Sequence, residues 1–174
     1  MKKAIVVFGA LMVAAMIGAC EKQAAAPQTK SESLPAGLIV NAPPTGAVDV
    51  VALKKSPQDG STVVVKGKVA GLQEPMSSNR AILTLADSSL PTCDATPGDK
   101  CETPWDACCE PAAEIAAKTI SVQVVGPDGR PLQVGLGGST GIAPLKNLVV
   151  AGTAKTLAGS NAVVIQATQI YVAP

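Results

Sequence analysis

Four cysteines, Cys93, Cys101, Cys108 and Cys109, fall within seventeen residues of a 174-residue chain. Their spacing is C-x7-C-x6-C-C, and the last three enclose the run Cys101-Glu102-Thr103-Pro104-Trp105-Asp106-Ala107-Cys108-Cys109. Thiols in such a group cross-link, ligate soft metals or exchange electrons. Four cysteines allow three disulfide connectivities. A bond between adjacent residues is strained, so Cys93 and Cys101 are each expected to pair with one of Cys108 and Cys109. The alternative is a thiolate site for zinc or monovalent copper, helped by Asp106 or Glu110, although the spacing contains no C-x2-C knuckle. Free or redox-active thiols are the third reading. Acid gathers here too, with Asp94, Asp99, Glu102, Asp106, Glu110 and Glu114 set against Lys100. Trp105 and Asp106 are the candidate recognition residues, since tryptophan is favoured at binding hot spots. Beside Pro104, Trp105 equally suits a small local core.

Little else in the chain suggests chemistry. There is no histidine, which removes Ser-His and Cys-His nucleophile systems and histidine-type zinc catalysis. The glycine run Gly135 to Gly141 (GLGGSTG) lacks the Gly-Lys-Ser/Thr of a phosphate loop, and Thr140 stands where a dinucleotide fingerprint needs its third glycine. It reads as a loop. No catalytic residue is assigned and an enzyme is not expected.

The amino terminus has a different texture. Lys2 and Lys3 precede an apolar stretch from Ala4 to Ile17, of signal-peptide length and short for a membrane span. The stretch ends in Ile17-Gly18-Ala19-Cys20, which resembles the lipobox of bacterial lipoproteins. That resemblance implies cleavage before Cys20, acylation of its thiol and new amino terminus, and anchoring in a bilayer by several acyl chains. It also implies an oxidising envelope, where disulfides persist. Glu21 in place of aspartate implies sorting to the outer membrane, facing the periplasm. The run Thr103-Pro104-Trp105-Asp106-x-Cys108-Cys109 resembles one in uncharacterised exported bacterial proteins, and that likeness implies no activity.

Removing residues 1–19 takes two of the 14 Lys and Arg, leaving 12 against 13 Asp and Glu. A near-neutral chain without a basic run is poorly suited to phosphate backbones. Only Trp105 and Tyr171 remain as aromatics, so there are no stacking platforms for bases. Nucleic-acid binding is not expected.

Residues 20–47, rich in Ala, Pro, Ser and Gly, read as the lipidated cysteine and a flexible linker. From Val48 short apolar runs alternate with turns. Val48 to Lys55 suits one or two helical turns. Thr62 to Val69, Ala81 to Ala86, Thr119 to Val125, Asn147 to Ala154 and Ala162 to Val172 alternate as strands, and Arg130 to Leu136 suits a short return strand. Val65, Val69, Leu83, Leu85, Val122, Val124, Val150 and Ile165 are the expected core. Val64-Val65-Lys66-Gly67 and Val149-Val150-Ala151-Gly152 repeat one form, V-V-x-G, and a glycine within a strand marks a bulge or sharp coil.

This order of elements resembles the OB-fold over roughly residues 48–172, within a domain of residues 48–174 that carries residues 87–117 as a cysteine-rich insertion between the second and third strands. The fold class is therefore all-β, a five-stranded barrel, with a β-sandwich as the alternative. The expected function is a non-catalytic binding or interaction module on a lipid tether. It would take no cofactor and would meet an envelope protein or small ligand. The alternative is a metal-binding (zinc or copper) or thiol-redox envelope protein.

Overall fold

The computed structural model of the chain describes residues 32–95, 97–98, 100–157 and 162–174. The signal segment, Cys20 and the first part of the linker lie outside the described residues. Five strands carry the architecture: β3 (Thr62–Val69), β4 (Ile82–Ala86), β5 (Thr119–Gln123), β6 (Asn147–Thr156) and β7 (Val163–Val172). Two-residue strands β1 (Ile39–Val40) and β2 (Val48–Asp49) precede them, as does helix α1 (Val50–Lys55); helix α2 (Ala112–Lys118) leads into β5.

The pairing closes on itself. β3 pairs with β4, β4 with β5, β6 with β7 and β6 with β3, all antiparallel, while β5 and β7 run parallel. In chain order the barrel strands are the first to the fifth, so the circuit is first–second–third–fifth–fourth and back to the first. This is an OB-fold-like closed barrel. Each strand turns alternate residues inward, and Val65, Val69, Leu83, Leu85, Val122, Val124, Val150 and Ile165 are all at most 2% exposed. With no aromatic among the described residues of the barrel interior, the branched aliphatics fill it.

The repeated glycines serve closure. A β-carbon at Gly67 would stand 2.5 Å from the carbonyl oxygen of Ala86, and one at Gly152 would run into the carbonyl of Gln166. The β6–β7 register shifts between Ala151 and Gly152. Strands coiling tightly around a small barrel approach one another too closely there for any side chain.

Three expectations need correction. Residues 34–47 are not free linker: Leu38 is buried, and β1 adds to β7 with Ile39 opposite Ile170. β5 pairs with β7 only as far as Gln166, so β7 leaves an open edge that the apolar Leu38-Ile39-Val40 run covers. β2 pairs with β3 at Val65 and Lys66, where β4, which meets β3 only at Lys68 and Val69, does not reach. Arg130 to Leu136 forms no strand beyond a single Val125–Pro131 bridge. Its Leu132 and Leu136 fold into the core instead. Helix α2 was not anticipated, though Ala-Ala-Glu-Ile-Ala-Ala-Lys is made of strong helix formers.

Candidate thiol cluster

The insertion leaves β4 at Asp87, a buried carboxylate. Asp87 accepts hydrogen bonds from the backbone N–H of Val51 at 2.8 Å and of Ser89 at 3.0 Å. Burial pushes its carboxyl up, but these donors and the Lys118 charge outweigh that and hold it below its ordinary range. The nearby Asp49, at the N-cap position of α1, makes no side-chain capping bond. Asp87 supplies that satisfaction from 36 residues away. Lys54 on α1 completes the seat by donating to the carbonyls of Ala116 and Thr119 at the end of α2. Desolvation lowers its pKa.

A second small core holds the insertion down. Ala70, Ala86, Leu90 and Ala107 pack together, with Trp105 and Ile115 against them. Trp105 donates its indole N–H to the Gln73 carbonyl at 2.9 Å and accepts from the Gly71 N–H at its own carbonyl at 2.8 Å. It lies half-buried against the loop after β3 and packs against that local core. Lys68 on β3 reaches across to Thr92 at 2.7 Å and pairs with Asp94 at 3.2 Å. Lys66 stays on the solvated strand face in its exposed pair with Asp49, whereas Lys68 ties the insertion to the barrel.

Within this frame two backbone bonds, Cys93 N–H to Asp106 carbonyl at 2.8 Å and Asp94 N–H to Pro104 carbonyl at 2.7 Å, lay the short 3-10 turn Cys93–Ala95 against the Pro104–Cys108 arm. Asp106 also turns its carboxylate onto the Ala107 N–H at 2.8 Å. Its role is local bracing. The result is a convergence of sulfur: the Sγ atoms of Cys93, Cys101 and Cys108 lie within 4.8 Å of one another. Cys93 and Cys108 are 3.6 Å apart, and the Cys109 Sγ stands 4.0 Å from that of Cys108, outside the triad.

Among the described cysteines no disulfide is formed, in place of the two that were expected. Three sulfurs meet at one place, where two pairs were expected. Neither acid proposed as a helper joins the sulfurs.

The three thiols differ in character. Cys93 is buried, and burial, reinforced by the neighbouring sulfurs, pushes its pKa up to about 12. Cys101 is half-buried, and hydrogen bonds from the Thr103 hydroxyl (3.4 Å) and backbone lower its pKa. The contact with Cys93 lowers Cys108, but the adjacent Cys109 thiol and desolvation outweigh it, and Cys108 ends above its ordinary value. Cys101 is thus the thiol closest to a thiolate. What the sequence alone left open was membership: spacing along the chain did not separate Cys109 from the other three.

A separate open groove of about 1110 Å³ runs between the two helices and β5, lined by Val51, Lys54, Ala116, Ile120 and Val164 among others. No described cysteine contributes to it. No described helix is long and apolar enough to cross a membrane. No protein-family model matches the chain, and no curated protein matches its sequence.

Proposed function

We propose that this protein is a non-catalytic binding module of the cell envelope, tethered by lipid on Cys20, whose working part is a soft-metal site formed by Cys93, Cys101 and Cys108. The observation that carries the reading is the convergence of three sulfurs within 4.8 Å. They stand on a segment that the barrel holds by other means, through the Trp105 core and the Lys68–Asp94 pair. Cysteines that are not needed as staples are available as ligands. Thiolates select zinc and monovalent copper among biological metals. At a metal–sulfur distance of about 2.3 Å, tetrahedral ligands sit about 3.8 Å apart, so the triad needs only small side-chain rotations. The tether rests on the lipobox, and outer-membrane placement facing the periplasm rests on Glu21.

The test uses full-length mature protein in detergent, reduced without oxygen. One equivalent of zinc or monovalent copper should protect three thiols from alkylation, and chelation should expose them again. Protein that retains neither metal while its thiols stay reactive would defeat the reading. Separately, mature protein should partition into detergent, and Cys20→Ala should accumulate as precursor. A processed, water-soluble form of that variant would remove the tether.

The 3.6 Å separation of Cys93 and Cys108 favours a thiol-redox module as the second reading. In that case isolated protein would weigh two hydrogens less than its reduced form, with Cys93 and Cys108 joined.

A further inference from the structure

We infer that the triad is a three-coordinate site for monovalent copper and that Cys109 is the thiol through which the ion is exchanged. The inference rests on the soft-metal reading above and assigns it an ion, a coordination number and a route.

The donor set supports monovalent copper. Structural zinc sites are almost always closed by four protein ligands, so a structural zinc at Cys93, Cys101 and Cys108 would need one more. The sequence contains no histidine. Among the described residues no carboxylate shares the sulfurs' mutual spacing; Asp94 is engaged with Thr92 at 2.5 Å and Lys68 at 3.2 Å, and Asp106 with the Ala107 N–H at 2.8 Å. Cys109 neighbours Cys108 but does not share the mutual spacing of the other three. An ion content with three sulfurs fits better, and among thiolate-selecting metals that is monovalent copper. With bonds of about 2.3 Å, a trigonal ion sets its ligands about 4.0 Å apart. The observed spacing, 3.6 Å between Cys93 and Cys108 and no more than 4.8 Å for any pair, brackets that value.

Exposure orders the sulfurs into a path. Cys93 is buried at 6% exposure, Cys101 is half-buried, and Cys108 and Cys109 are exposed. Copper bound by the triad would thus be deepest at Cys93 and open to solvent at Cys108. The next sulfur outward is Cys109, 4.0 Å from Cys108. Exchange then proceeds by ligand substitution. A copper–sulfur bond forms to Cys109, whose thiol releases its proton, and the bond to Cys108 breaks, with that sulfur taking up a proton. Copper stays monovalent throughout and no oxidant or reductant is consumed.

The experiment titrates monovalent copper into reduced full-length mature protein in detergent, with a chromogenic copper chelator as competitor and exclusion of oxygen. One equivalent should bind, with three sulfur neighbours in the copper K-edge spectrum. Cys101→Ala and Cys108→Ala should each weaken binding on the order of 100-fold or more, since even outer-shell changes reach 10–100-fold. Cys93→Ala should do the same with the strand circular-dichroism signal retained. The half-buried Cys101 provides this readout even if the buried Cys93 variant folds poorly. Cys109→Ala should change affinity far less than the ligand variants and slow copper transfer to the chelator. Four sulfur neighbours, or a Cys109→Ala affinity loss as large as the others, would overturn three-coordination. Unaltered transfer in Cys109→Ala would overturn its role in exchange. Tight binding of zinc but not copper would overturn the choice of ion while leaving the soft-metal reading intact, whereas binding of neither would end both.

Discussion

The barrel and the cysteine insertion are held by different physics, although they share a boundary at Ala70 and Ala86. In the barrel, five strands close into a circuit and aliphatic side chains from every strand fill one interior. In the insertion a four-residue apolar cluster, one tryptophan and a few polar bonds suffice. The barrel is therefore a cooperative unit whose stability is spread over many contacts. The insertion depends on a few named groups, and its local opening should be easier than global unfolding. Segments that bind and exchange ligands come from that less stable end, which suits a thiol site on a rigid base.

The largest effect should come from breaking the barrel. Ile165→Ala removes a fully buried side chain and should cost about 2–5 kcal/mol in denaturant unfolding, from lost transfer plus cavity. A negligible cost would mean that the interior is not the main source of stability. Overpacking is a second way to break it: alanine at Gly67 would press on the Ala86 carbonyl and should cost about 1–3 kcal/mol.

Asp87 tests the joint between the two regions. Asp87→Ala leaves the Val51 and Ser89 N–H groups without their acceptor and should cost about 1.5–3 kcal/mol, the range for hydrogen bonds to a charged group. The folded pKa of Asp87 is depressed. Its contribution is therefore complete above the ordinary carboxylate range and is lost as pH falls through the depressed folded value. Wild-type protein should lose stability on acidification more steeply than Asp87→Ala, measured as urea midpoints from neutral pH downward. Equal slopes would show that the carboxylate is not the acid-sensitive group.

The smaller effects lie in the insertion. Trp105→Ala should abolish hydrogen-exchange protection at Gly71, whose N–H bonds to the Trp105 carbonyl, while β6 and β7 amides keep theirs. Loss of protection throughout the barrel would show that the insertion is part of the cooperative core. Cys108→Ser, at an exposed thiol, should leave the melting temperature of metal-free protein unchanged. A clear drop would mean that the sulfurs staple the insertion after all.

The strands were legible because a half-buried strand must alternate, and Thr62–Val69 and Thr119–Gln123 do so in the sequence. The echo of Gly67 and Gly152 was legible as well, since close backbone approach tolerates no β-carbon. The cysteine group stood out by density alone. The two-residue strands were not legible, because Ile39–Val40 and Val48–Asp49 become strands only where β7 and β3 have edges to offer.

By itself, then, the sequence determined the aliphatic core, the barrel strands, the glycines at their close approaches and the presence of a thiol-rich insertion. These follow from local periodicity and composition, which each segment carries wherever it lies. Only the tertiary structure decided that Asp87 satisfies the start of α1, that Lys68 holds the insertion and that Trp105 packs inward. It likewise decided that three of four sulfurs converge while Cys109 stands aside. Those facts depend on groups 15 to 36 residues apart meeting in space, and the distance between such groups is set by how the barrel closes.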